Sequence, residues 1–443
     1  MHTLSGRELL PYLGQIRTNT PGFLEDCARR YGDLVCFAVG GLKVFFINHP
    51  DLIRRVLQDN HHNYSKDTIQ YNTLATITGR GLLTSDGEDW LRHRRLQQPA
   101  FTRSRLAVLD QVVAPAVEAM LTNWARLPSG QTLDIDREMM QVTLEVVGKA
   151  LFSIDLRTQA PRLTNAVLTA LDHVIFRAQN PFALPDWAPI PRNLAFRRAL
   201  KILDGAVYEI MQQRKQAADP GRDLLGMLLT ARDETSGQPL SDRQVRDEII
   251  TILIAGHETV ASALTWSWYL LALHPQAYRR LRAEVAELPA SRLPAYEDLE
   301  NLPYTAQVFS EALRLYPPAW LITRKAVGED QFDGQPIPAG SLIVISPYVI
   351  HRHPQFWTEA GSFQPERFSG QYEKTWPRYA YIPFGGGPRL CIGNHFALIE
   401  GTLILAAVTQ RYLLALDEGQ QVRVDPLVTL RPHGGLPMRL AGW

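Results

Sequence analysis

The chain has almost no surplus charge: 46 basic against 45 acidic side chains leave a formal +1 over 443 residues. A balance that close gives no general pull toward nucleic acid or an anionic membrane. Cysteine is scarce. There are three, Cys27, Cys36 and Cys391. An odd number leaves at least one unpaired, and neither Cys27 nor Cys36 has a companion at zinc-ligand spacing. No apolar run approaches the roughly 20 residues needed to span a bilayer. The start, Met1-His2-Thr3-Leu4-Ser5-Gly6-Arg7-Glu8, is polar and mixed rather than basic then apolar. A cytoplasmic protein without a membrane span is expected. Internal repeats, low-complexity tracts and Gly/Ser linkers are also missing. Length alone argues for two domains, but the unbroken patterning favours a single large domain over residues 1–443.

What is present is mostly helical periodicity. A strand-like run at 34–47 gives way to helical patterning over about 52–312. Strand signals return at 335–345, an apolar helix is expected at 396–412, and 429–437 reads as a turn between two short strands. The expected fold class is mainly α with a small β region, its mixed sheet built from both ends of the chain. Cys27, in an amphipathic run, and Cys36, in an apolar one, are expected as buried small hydrophobes.

The longest helix begins after Ser241, where Ser241-Asp242-Arg243-Gln244 has the form of a capping box, and His274-Pro275 stops it. About thirty residues at ~1.5 Å rise make it roughly 48 Å long, enough to cross a domain. Its middle carries an anomaly, Ala255-Gly256-His257-Glu258-Thr259. Glycine in a helix interior costs about 1 kcal/mol relative to alanine. An acid beside a hydroxyl, flanked by apolar turns, is a poor choice for a purely structural core. A kink or widened groove at Gly256 would let a small ligand reach the backbone, with Thr259 donating to it and Glu258 relaying protons. The alternative is a helix–helix contact at Gly256 with Glu258 in an ion pair. A zinc-protease pattern fails, because the second histidine of His-Glu-x-x-His would be Ala261.

Cys391 lies in Phe384-Gly385-Gly386-Gly387-Pro388-Arg389-Leu390-Cys391-Ile392-Gly393. A loop this rich in glycine turns backbone N–H groups toward a buried anion. A thiolate is such an anion, and a metal is the usual reason to keep one buried. Arg389 offers a fork for a carboxylate, and the helix after Gly393 would turn its positive end toward the sulfur. The alternative is a glycine-rich turn around a buried free thiol. Elsewhere, Trp90 and Arg94 stand at i, i+4, so an indole N–H and a guanidinium can grip one carboxylate, or merely form a basic surface helix. Glu311 and Arg314, at i, i+3 before Pro317-Pro318, make an ion pair that would want a third partner if buried; Arg367 is the candidate.

The order Phe-x-x-Gly-x-Arg-x-Cys-x-Gly resembles the cysteine-ligand signature of the cytochrome P450 family, the haem-thiolate monooxygenases. Residues 255–259 are similar to that family's distal-helix motif, with Val260 where many members carry a second hydroxyl. Glu311, Arg314 and Arg367 are similar to its Glu-x-x-Arg plus Arg triad, which holds the cysteine loop. The resemblance runs from about residue 30 to the end. It implies haem b as cofactor, with Cys391 as axial ligand and metal-binding residue and Phe384 and Gly385 in the cofactor loop. Trp90, Arg94, Arg324, Arg389 and His93 are implied as propionate partners, and Ala255, Gly256, Glu258 and Thr259 as the oxygen-activating segment. A thiolate ligand pushes electron density toward iron and favours O–O cleavage.

Substrate and partners follow in outline. The chain carries no flavin or iron–sulfur module and no Gly-x-Gly-x-x-Gly after a strand, so a separate ferredoxin or flavodoxin with its reductase is expected. Arg92, Arg95, Arg103 and Arg105 form a candidate docking patch, or an ordinary solvated basic face. Residues 69–74 and 176–187, apolar and aromatic, are candidate pocket walls for a large lipophilic substrate. The stretches 79–84, 255–266 and 311–320 resemble thermophilic bacterial β-carotene hydroxylases, which implies hydroxylation of a carotenoid ring. Fatty-acid, terpenoid and steroid substrates stay open, as does a haem protein that binds a ligand without turnover.

Overall fold

The computed structural model describes residues 1–128, 130–180, 183–219, 221–232, 237–370 and 375–442. The long helix spans Asp242–Leu273. Ser241 Oγ accepts the Gln244 N–H at 3.3 Å and Gln244 Oε1 accepts the Ser241 N–H at 2.9 Å, closing the reciprocal cap. Pro275 opens the next helix, Pro275–Ala286. Helices Ile135–Phe152, Pro191–Gln216, Pro303–Leu315 and Asn394–Arg411 pack around the long one. By length and composition alone it would suffice to cross a membrane, with 83% of its apolar window buried inside the fold. His257 and Glu258 interrupt its apolar run, and burial of this extent is that of a core helix.

The helix continues unbroken through Gly256. A Cβ there would stand 2.9 Å from Val147 Cγ2. Close approach of the helix Ile135–Phe152 therefore requires the glycine, the helix–helix contact that the sequence left as the alternative.

The β region is small and mixed. One sheet takes His2–Ser5, Leu34–Val39 and Leu42–Ile47 from the start of the chain, then Leu342–Ile345, Ile322–Ala326 and Tyr64–Ser65. Its inner strands, Leu34–Val39 among them, are buried on successive residues, as expected where both faces are covered. Three strands of this sheet were not legible. His2–Ser5 is only four residues long, Tyr64–Ser65 only two, and Ile322–Ala326 carries charges that mask it. Cys27 and Cys36 are both buried. The strands flanking the terminal turn do not pair with each other. Leu430–Pro432 pairs with Val424–Pro426, while Pro437–Gly442 pairs with Tyr412–Ala415 and Thr132–Asp134.

Glu311 and Arg314 form a wholly buried pair with contacts of 2.6 and 2.7 Å, and Arg367 Nε stands 3.5 Å from Glu311. Arg314 also donates to the carbonyls of His351, Ala360 and Ser362. His351 carries the link onward. Its Nδ1 donates to Arg314 O at 3.1 Å, and its Nε2 accepts the Ile382 N–H at 2.8 Å. Burial keeps that ring neutral, its pKa well below the usual range. The pair thus reaches Ile382, two residues before Phe384, through a histidine.

Candidate active site

The loop before Cys391 is built on two left-handed glycines, Gly385 and Gly387, with φ of +74° and +64°. A Cβ at Gly387 would overlap the Leu57 carbonyl. The Cys391 N–H closes the loop onto Phe384 O at 3.0 Å. Helix Asn394–Arg411 starts immediately after Gly393. Burial pushes the Cys391 thiol up, against the Gly393 N–H and the charges of Arg94 and Lys66, which favour the thiolate. Yet the residue keeps exposed surface. A thiol surrounded by protein, but open on one side, is poised for a ligand rather than for packing.

Cations crowd that opening. Arg389 Cζ lies 4.1 Å from the Trp90 ring centroid. Its Nη2 donates to Ser85 O at 2.9 Å and pairs with Asp86, while its Nη1 is buried without a partner. Burial draws its pKa down to about 10, against the pull of Asp86. Arg94 Nη1 donates to Leu390 O at 2.9 Å, one residue from the sulfur. Arg324 is buried, with Nη1 donating to Thr323 O at 2.8 Å and to Tyr71 OH at 3.3 Å. Lys66 joins them: Nζ donates to Leu83 O at 2.8 Å and stands 4.7 Å over the Tyr71 ring. Burial holds its pKa well below the usual range, and Arg324 and Arg389 add to that. His93 is anchored to the central helix by one ring nitrogen, its Nδ1 2.8 Å from Glu248 Oε1.

Across the central helix, Ala255, Gly256 and Thr259 are partly open while His257 and Glu258 are buried. Thr259 Oγ1 donates to Ala255 O at 2.7 Å, so the hydroxyl sits within the open face. Glu258 does not share that face. Its Oε1 accepts from Thr429 Oγ1 at 2.7 Å, in a buried cluster with Arg431 and Asp136. Burial raises its pKa, against the pull of Arg431 and Thr429.

The cytochrome P450 family profile matches residues 5–435. The chain belongs to the cytochrome P450 family. It is 38% identical to a cyclooctatin synthase of Streptomyces melanosporofaciens, over 90% of this chain and 87% of that one. It is 33% identical to a pentalenene oxygenase of Streptomyces avermitilis, over 93% and 90%. The crystal structure of CYP175A1 from Thermus thermophillus superposes with a TM-score of 0.80 at 32% identity, covering all of both chains. The protein is a P450 monooxygenase, an oxidoreductase, and the family's cofactor is haem b.

The residues present fit that cofactor. Lys66 and Arg94 act on Cys391, Arg324 and Arg389 act on Lys66, and Asp86 is the counter-charge bonded to Arg389. Buried like charges repel and desolvation penalises each; two carboxylates from a bound group would relieve both, and the orphaned Arg389 Nη1 offers a hydrogen bond to one. Lys66, Asp86, Glu248, His351 and Thr429 escaped the sequence reading. Asp86-Gly87 was visible as a helix start. Lys66 was a lone lysine with nothing in its neighbours to mark it as buried.

Of the expected docking patch, Arg95, Arg103 and Arg105 are exposed, while Arg92 pairs with Asp89 at 2.8 Å. Of the expected pocket walls, Gln70 is committed to structure, bridging Leu321 O and Thr323 Oγ1. Within 176–187, Pro181 and Phe182 lie outside the described residues. Leu184 and Trp187 are exposed.

Proposed function

We propose that this P450 hydroxylates an isoprenoid lipophile, with a carotenoid ring as the substrate, within a single haem domain over residues 1–443. When bound, haem b supplies the oxygen-inserting chemistry that no side chain here can perform. Cys391 would hold its iron. Trp90, Arg94, Arg324, Arg389 and Lys66 hold its carboxylates, with His93 alongside. Ala255 leaves room at the open helix face, Gly256 sets that segment's height by its contact with Val147, Thr259 holds a hydrogen bond there, and Glu258 is the proton reservoir behind it. Electrons come from a separate ferredoxin or flavodoxin, docking on the face of Arg95, Arg103 and Arg105. A cytoplasmic location is part of the same proposal.

The observation that carries the reading is an exposed cysteine beside Arg94 and Lys66, in a chain whose central helix also carries a partly open Thr259. The carotenoid assignment draws its support from residues 79–84, 255–266 and 311–320 and from the likeness to the Thermus structure. Gln70 being tied up by Leu321 and Thr323 removes one polar anchor a fatty acid would use. A cyclic terpene is the second reading, favoured by relatives named for cyclooctatin and pentalenene. Optical titration of the ferric protein with β-carotene, with pentalenene and with a long-chain fatty acid separates these. A saturable low- to high-spin Soret shift with β-carotene alone supports the carotenoid assignment. Saturation only with one of the others replaces it.

A further inference from the structure

The helix stripe Glu258, Ser262, Trp266 follows the i, i+4, i+8 spacing of one face. All three are buried, and all three bond to consecutive residues of one C-terminal segment. Thr429 Oγ1 donates to Glu258 Oε1 at 2.7 Å. Ser262 Oγ and Trp266 Nε1 both donate to Leu430 O, at 2.7 and 2.8 Å. Arg431 pairs with Asp136, which also accepts from Thr265 Oγ1 at 3.4 Å. The seam is continuous, yet only its first bond involves a group the chemistry needs. Ser262 and Trp266 grip a carbonyl and could be replaced by other packing. Arg431 is already committed to Asp136. Glu258 is the residue next to Thr259, and successive helix residues point about 100° apart. Its carboxyl therefore reaches the open face by side-chain rotation or a water chain, and in either case its starting point is the bond from Thr429.

We propose that Thr429 is the positioning residue for the distal acid: its hydroxyl fixes the Glu258 carboxyl in the seam and so sets how protons reach the Thr259 face. The inference rests on the monooxygenase role given to Glu258 above. It makes Thr429, at the entry to the strand Leu430–Pro432 and remote in sequence from both the cysteine loop and the distal helix, part of the proton-supply apparatus. The two bonds to Leu430 O hold the segment against the helix independently, so loss of the Thr429 hydroxyl leaves the strand docked while freeing the acid.

The test uses Thr429→Val, which keeps the shape and removes the donor, Thr429→Ser, which restores it, Glu258→Gln and the double variant Glu258→Gln/Thr429→Val. Two readouts are taken on haem-loaded protein. One is the infrared band of the Glu258 side chain, identified by its loss in Glu258→Gln. The other is peroxide released per NADPH consumed with a surrogate ferredoxin and reductase, a ratio that needs no identified substrate. Thr429→Val is expected to shift or broaden the band and raise peroxide release several-fold. Thr429→Ser is expected to restore both, and Thr429→Val to add nothing to Glu258→Gln, the non-additivity of one acting unit. If Thr429→Val does not load haem, Thr429→Ala carries the same comparison. An unchanged band and peroxide ratio in Thr429→Val, alongside an impaired Glu258→Gln, overturns the inference and leaves the enzyme reading intact. A Glu258→Gln variant with wild-type peroxide release removes the acid role itself, and the inference with it.

Discussion

Arg389 lies over the Trp90 ring, Cζ to centroid 4.1 Å, while its Nη2 is tied to Ser85 O and Asp86. The indole therefore acts on the arginine of the cysteine loop as well as offering its own N–H. A partly desolvated cation–π contact is worth about 0.5–2 kcal/mol. Trp90→Ala should speed haem transfer to an acceptor apoprotein by several-fold to tens-fold. Trp90→Phe, which keeps a ring under Arg389, should recover part of that loss. Equal rates in Phe and Ala variants would mean that the indole N–H alone matters.

The contact of Gly256 with Val147 predicts a compensating pair. Gly256→Ala alone gains helix propensity but drives a Cβ against Val147, and overpacking of this kind costs about 1–3 kcal/mol. Thermal unfolding should show Gly256→Ala destabilised and Gly256→Ala/Val147→Ala less so than the two single losses added together. Strict additivity would refute a shared contact.

His351 joins the buried ion pair to the cysteine loop through Arg314 O and Ile382 N. His351→Phe fills the space but leaves the Ile382 N–H unbonded in the interior, at about 1–3 kcal/mol. A lower denaturant midpoint is expected, together with a Soret band that is broadened because Phe384 and Cys391 are less firmly placed. A variant destabilised to the same degree but with a wild-type Soret band would confine His351 to the scaffold.

Burial pulls the His257 pKa down to about 4, with the charge of Arg431 acting in the same direction. In the unfolded chain a histidine titrates near 6.5. Between those values the unfolded state binds more protons, so stability falls as pH drops from about 6.5 to 4 and is flat with respect to this group above 6.5. His351 contributes with the same sign, so the check is a comparison. The stability advantage of wild type over His257→Asn, measured by denaturant midpoints, should shrink on going from pH 7 to pH 4.5. A constant difference would contradict a neutral buried His257.

Much of the molecule was legible in the chain itself. The capping box at Ser241, the stop at Pro275, the glycine loop and the spacing of Trp90 and Arg94 are local signals, each fixed within a few residues. What was hidden depended on distant segments meeting. Asp247 and Glu248 accept from the backbone N–H groups of Arg80 and Leu82, which explains why the 79–84 stretch needs its glycines, and no local pattern announces that. Thr429 bonds a residue 171 positions away, and Lys66 is revealed as a buried cation only by Arg324 and Arg389 closing around it. Glu258 follows the expected relay position in sequence, but helix geometry turns it to a different face from Thr259.

The central claim is that Cys391 binds haem iron as a thiolate, and the carbon monoxide difference spectrum of the reduced protein tests it most directly. The account predicts one haem per chain and the strongly red-shifted Soret band of a thiolate-ligated carbonyl complex, lost in Cys391→His. A protein that binds haem but shows the Soret band of an imidazole-ligated complex, unchanged by substitution at Cys391, would contradict it.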